Sequence, residues 1–320
     1  MKSYKAVLII PMLLIGLALV VIASIRNGAL NPTEDYLKIR FTDSRSKFLT
    51  IDGVPIHVVE EGPELGPVII LIHGHLGSNR QWDGWAEDLR ADFRVVRLDY
   101  PPFGISGPDP TGQYSSSRAY HLLVNLIHNL GYKRFHMAGT SSGGILALRY
   151  AADHPDQVEK LLLSSVPAYV PTDRLAPPRA FAAISWFSDN VFKVWRPELY
   201  WRLFMENIFG HDELITSNMV SEYASLNNRP DSIKNVRTFI FSNARSNFDV
   251  AAAAARITAP ILIQWAGGSP VLTKAGLERV APLFKNSQVR IIEYPDLGHK
   301  LMLEDPARTV GDARIFLQDE

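Results

Sequence analysis

Six short apolar runs constrain this 320-residue chain more than any other feature: Val68–Ile72, Val95–Leu98, Phe135–Ala138, Leu161–Leu163, Ile261–Trp265 and Val289–Ile292. Val68–Ile72 and Leu161–Leu163 are apolar throughout and the other four runs carry one polar residue each, which suits strands buried on both faces rather than ones with a wet side. Amphipathic stretches lie between most of them. One is 142–152; another is 115–130, which sets Leu122, Leu123, Leu126, Ile127 and Leu130 on one helical face. Strands and helices in alternation predict an α/β fold, a mostly parallel sheet covered by helices on both faces. Phe48–Ile51 and Ile56–Glu60 flank the turn signal Asp52-Gly53-Val54-Pro55 and add a hairpin in front, giving eight strands.

Ligands of such sheets bind at the carboxyl ends of the strands, and four ends carry unusual residues. They are His73-Gly74-His75-Leu76-Gly77-Ser78, Asp99-Tyr100-Pro101-Pro102-Phe103-Gly104-Ile105-Ser106, Gly139-Thr140-Ser141-Ser142-Gly143-Gly144, and Tyr294-Pro295-Asp296-Leu297-Gly298-His299. Gly139–Gly143 matches G-x-S-x-G, with a strand before it and a helix after it. The glycines clear room for a tight turn that lifts Ser141 above the sheet. The helix N-terminus behind it adds positive potential where an oxyanion would form.

The 33 basic and 33 acidic side chains cancel, which argues against nucleic acid as a partner, since that affinity comes mostly from basic residues facing phosphates. There is no cysteine, so disulfides, thiolate metal sites and cysteine nucleophiles are excluded. No histidine pair at helical spacing and no P-loop is present, so neither a metal nor another cofactor is expected. At the N-terminus, Ala6–Ile25 runs twenty residues without a charge behind Lys2 and Lys5. A helix of that length crosses the roughly 30 Å hydrocarbon core of a bilayer. Residues 1–26 therefore read as a membrane anchor with the domain on the non-cytoplasmic side, or as a signal segment cleaved after Val21-Ile22-Ala23, leaving a secreted or periplasmic domain. Residues 26–47 read as a polar tether.

The ordered set of His73-Gly74, Asp99-x-Pro-x-x-Gly-x-Ser106, the Ser141 elbow and Gly298-His299 resembles the α/β-hydrolase family over roughly residues 45–320. The resemblance implies a helical cap at 167–250, inserted after the sixth strand between two parts of the core, 27–166 and 251–320. It implies that Ser141 attacks, that His299 takes its proton, and that the backbone N–H groups of His75 and Ser142 hold the oxyanion. It also implies that His73 and Asp99 support their loops and that Glu304 helps hold the histidine loop. Family members that open epoxides or displace halide carry a carboxylate at the elbow, so Ser141 argues against both reactions.

The departure from the family is the acid. After Ile261–Trp265 the loop reads Ala266-Gly267-Gly268-Ser269-Pro270, with Ser269 where the family places Asp. The sixth strand ends Leu163-Ser164-Ser165-Val166, again without a carboxylate, and Asp173 is the next acid. Asp296 stands only three residues before His299, too close to reach the far ring nitrogen. Neutralising the acid of a comparable triad lowers turnover by roughly 10⁴, or about 5.5 kcal/mol of barrier. Three readings stay open: Asp173 folds in, Ser269 or water orients His299, or the protein binds without turnover.

Nine aromatics between Phe181 and Phe209 (Phe181, Trp186, Phe187, Phe192, Trp195, Tyr200, Trp201, Phe204 and Phe209) pack cap helices and line an apolar pocket. With few charges near the site, the expected reaction is serine hydrolysis of a carboxylic ester or other small hydrophobic acyl substrate. A carbon–carbon bond hydrolase or an amidase on the same site is the alternative, and a non-catalytic binding protein the rival.

Overall fold

A computed structural model of the chain describes residues 3–166, 178–243 and 248–319, with residues 3–9 and 243 as backbone only. The strands are β1 (Ser46–Ile51), β2 (Val54–Glu61), β3 (Val68–Ile72), β4 (Arg94–Leu98), β5 (Phe135–Thr140), β6 (Val158–Ser164), β7 (Ile261–Ala266) and β8 (Val289–Tyr294). They form one sheet in the order β1-β2-β4-β3-β5-β6-β7-β8. β2 runs antiparallel to β1 and β4, and all remaining pairs are parallel. Successive side chains of β3 enter opposite layers: Ile70 and Ile72 pack with Leu98, Met137 and Leu146, whereas Ile69 and Leu71 pack with Trp82, Trp85 and Phe316. Two apolar layers are what a strand apolar at every position demands.

Residues 26–47 are not a plain tether. Thr33 caps a helix, Glu34–Phe41, by accepting the Tyr36 N–H at 3.2 Å. Leu37 and Phe41, four apart and so on one face, are buried with Ile105 and Leu226. A polar composition hid a two-residue apolar stripe. Ahead of it, helix Ser3–Arg26 has exposed apolar side chains between Ile10 and Val21. Among the described residues no helix is long and apolar enough to cross a membrane. The first helix ends where the Arg26 guanidinium donates to the carbonyls of Asn190 (3.0 Å) and Val191 (2.7 Å).

Between β6 and β7 the described residues are helical: Arg179–Phe187, Glu198–Glu206, Ser217–Asn227 and Ser232–Asn243, then Val250–Ala254 against the helix that follows β5. Polar bonds pin this insertion to the strand-end loops. Asn227 Nδ2 donates to Leu76 O at 3.1 Å, and Arg229 donates to Ser106 O at 2.8 Å and Pro102 O at 2.9 Å.

The loop after β4 is held by one buried carboxylate. Asp99 accepts the N–H groups of Asn79 (2.6 Å) and Ile105 (3.0 Å) and meets His57 Nδ1 at 2.9 Å. Burial alone would raise this carboxyl, but the hydrogen bonds from the His57 ring and the Ile105 N–H hold it well below the usual carboxylate range. Gly104 closes that loop at φ +58°, and a Cβ there would lie 2.1 Å from the Asp99 carboxyl carbon. Because the carboxylate is fixed on both oxygens, Gly104→Ala is expected to cost roughly 3 kcal/mol or more, read from the shift of the urea-unfolding midpoint.

Candidate active site

Ser141 sits at the junction of β5 and helix Ser142–Asp153 with φ +52° and ψ −123°, a region that costs a non-glycine residue about 1–3 kcal/mol. Close packing on both sides over-determines the turn. A Cβ on Gly143 would meet the His73 carbonyl oxygen at 2.1 Å, and one on Gly139 would meet the Gly143 oxygen at 2.6 Å. The result aims the Ser141 hydroxyl away from the sheet at the helix N-terminus. Ser142, the first helical residue, has an N–H without an intrahelical acceptor, and its hydroxyl lies 2.9 Å from Tyr100 Oη.

His299, in the loop after β8, brings Nε2 to 3.1 Å from Ser141 Oγ. The two residues lie 158 positions apart in the chain. Four hydrogen bonds brace the histidine loop. The His299 N–H donates to Ile208 O at 2.7 Å. The Glu304 carboxylate accepts N–H groups from Gly210 (2.8 Å), Gly298 (3.0 Å) and Lys300 (3.3 Å). Glu304 thus braces the loop as the resemblance implied, and it also reaches the end of the helical insertion.

The far nitrogen, His299 Nδ1, is buried and has no hydrogen-bond partner among the described residues. Ser269 is buried, but its hydroxyl oxygen accepts the Val271 N–H at 3.1 Å. Asp296 points to the surface and pairs with Arg308 at 2.8 Å. Asp173 lies outside the described residues. Burial, followed by the charge of Lys300, pushes the His299 imidazole down to about 3. It is therefore neutral and able to accept a proton, while among the described residues no carboxylate stands beside the imidazolium that would form.

His73 is stacked on Tyr100 with ring centroids 4.4 Å apart. Its Nδ1 faces Gly74 O at 2.8 Å and its Nε2 accepts the Tyr100 N–H at 3.3 Å. Both nitrogens are used by the neutral ring, and burial moves its pKa down to about 4. The half-buried ring of His75 meets Phe103 edge-on at 4.9 Å and Phe239 at 6.1 Å. Phe239 comes from the insertion and lies outside the aromatic-rich stretch 181–209. Within that stretch Tyr200, Trp201 and Phe209 are buried, whereas Trp186 and Phe187 are exposed.

Sequence reasoning missed Lys300. Its neighbour His299 is an obvious candidate, but a lysine in a polar loop gives no sign of burial, and this one is 2% exposed. The site is therefore less poor in charge than the sequence implies. Among the described residues no group of three or more His, Asp or Glu is placed to hold a metal ion.

The family model of the alpha/beta hydrolase fold matches residues 67–306. This chain belongs to the α/β-hydrolase family. An epoxide hydrolase 3 of Xenopus tropicalis is 30% identical over 116 residues, covering 36% of this chain and 32% of that protein. A 2-hydroxy-6-oxononadienedioate/2-hydroxy-6-oxononatrienedioate hydrolase of Comamonas testosteroni is 26% identical over 270 residues, 79% of this chain and 90% of that one. The chain spans less than half the length of the first curated relatives it matches. Among solved structures, a membrane phospholipase A superposes with TM-score 0.67 and 25% identity over 98% of both chains.

The two carboxylates near His299 are expected to separate cleanly in stability measurements. Glu304→Ala strands three N–H donors and should lower unfolding free energy by roughly 3 kcal/mol or more. Asp296→Asn removes only an exposed pair and should stay within about 0.5 kcal/mol of the parent. Denaturant titration of the two variants side by side checks both.

Proposed function

We propose that this protein is a serine hydrolase acting on a carboxylic ester or other hydrophobic acyl compound. One observation carries the reading: a serine in a strained elbow with a neutral imidazole nitrogen 3.1 Å from its hydroxyl oxygen. In this reading Ser141 Oγ adds to the acyl carbon while its proton passes to His299 Nε2. The N–H groups of Ser142 and His75 receive the oxyanion, and the imidazolium returns its proton to the leaving group. Water then repeats the sequence on the acyl-enzyme. Family membership supports a hydrolytic reaction, and Ser141 at the elbow supports an acyl-enzyme over a carboxylate-centred route. A pocket that binds without turnover is the second reading, favoured by a His299 Nδ1 that has no partner among the described residues.

Fluorophosphonate labelling of the full chain separates the two. The parent should label, Ser141→Ala should not, and His299→Ala should label at least 100-fold more slowly. The base is active when neutral, so its depressed pKa of about 3 predicts a labelling rate without an inflection near 6.5, declining only in stronger acid. A folded parent that stays unlabelled for hours overturns the catalytic reading.

We also propose that the first helix holds the domain at the non-cytoplasmic face of a membrane; processing at the small-residue site, releasing the domain, is the alternative. The uncharged run Ala6–Ile25 behind two lysines and the likeness to a membrane phospholipase A over 98% of this chain support anchoring. The expressed chain should sediment with membranes through an alkaline carbonate wash, and recovery in the supernatant would contradict it.

A further inference from the structure

Lys300 is the feature of the site that the reaction above does not use. Its side chain is enclosed at 2% exposure, and no charged group among the described residues offsets the effect of that burial on its ammonium. Its place is well defined. A methyl group built on Gly74 would lie 3.1 Å from Ser141 Cβ and 3.7 Å from Lys300 Nζ. Nucleophile and ammonium therefore converge on the glycine that leads into the His75 loop. The charged groups facing it do not compensate it. His73 and His299 are both neutral, and its charge further disfavours protonation of each. The carboxylate of Glu304 is occupied by three backbone N–H groups.

A buried charge without a counter-charge among the described residues costs stability, and such groups persist where a function needs them. We propose that Lys300 is an anion-recognition site of the acyl pocket, and that the substrate is an acyl compound carrying a carboxylate close to its scissile carbonyl. One ammonium balances one negative charge, so a monoanionic carboxylate matches it better than a phosphate dianion, which would leave net charge buried. Burial holds the Lys300 pKa down to about 8, and a bound anion would raise it again, favouring the charged pair. Pairing would also remove the repulsion that Lys300 exerts on a protonated His299. The substrate would then supply part of the compensation that Ser269, standing in the usual acid position, does not. This inference rests on the acyl-hydrolase reading for its substrate class and on the position of Lys300 for its charge.

Binding tests it without turnover. Full-length protein carrying Ser141→Ala is titrated with monomethyl glutarate and monomethyl adipate, and with the uncharged dimethyl esters, followed by calorimetry. The monoanions are expected to bind at least 10-fold tighter than the diesters, and adding Lys300→Met should bring the ratio to within about twofold of one. Lys300→Met should also melt at a higher temperature than its parent, which reports folding independently. If that variant does not fold, the pH series on Ser141→Ala decides, since the monoanion preference must fade as pH rises from 8 to 11 and the ammonium loses its proton. A ratio near one at Ser141→Ala, no binding of the monoanions, a preference that survives Lys300→Met, or one that is flat to pH 11 overturns the proposal. An inert Ser141 beside Lys300-dependent anion binding would remove the catalytic reading and leave the anion site standing. A labelled Ser141 without anion preference would do the reverse.

Discussion

Everything in the site depends on one residue being held where its backbone does not want to be. Ser141 adopts a left-handed conformation between a buried strand and a helix, and the surrounding structure must enforce it. Gly139 and Gly143 do so by what they lack, letting the helix start within contact of the His73 carbonyl. That approach fixes the distance between the strand-end loops after β3 and β5, and with it where His75, Ser142 and Ser141 stand relative to one another. A methyl group at Gly143 would push those loops apart. Stability is thereby traded for placement, a common bargain at functional sites.

The electrostatics invert the usual arrangement of a nucleophilic triad. A carboxylate normally lies behind the imidazole and favours its cation. Here a serine stands at the usual acid position, with its oxygen engaged by the Val271 N–H, and among the described residues the charge that acts on the imidazole is positive. A histidine so placed stays neutral over the physiological range, and acid should destabilise the fold. Its pKa of about 3, below the ordinary 6.5, means that the unfolded chain binds a proton between those values that the folded chain refuses.

The sheet was legible because its strands are mostly apolar, with at most one polar residue in each run, and all six such runs are strands of the sheet. Ser141 and His299 were legible because their motifs sit at strand ends. Other parts were hidden for definite reasons. Leu37 and Phe41 are two apolar residues in a polar stretch, too few to register as a period. Phe239 acts through tertiary contact with the His75 loop, 164 positions away in the sequence. Lys300 looks like any solvated lysine until its burial is known. The orientation of His299 stayed open in sequence, and neither Ser269 nor Asp296 provides it.

The carboxylate of Glu304 accepts from Gly210 at the end of one insertion helix and from Gly298 and Lys300 on either side of His299. The Ile208 carbonyl takes the His299 N–H as well. This edge of the insertion is accordingly a hinge pin and not a door, because swinging it away would drag His299 off Ser141. Any breathing that admits a ligand while keeping the pair assembled has to come from segments that share none of these bonds, such as Arg179–Phe187, whose Trp186 and Phe187 face outward. Access and chemistry are then mechanically uncoupled within one insertion.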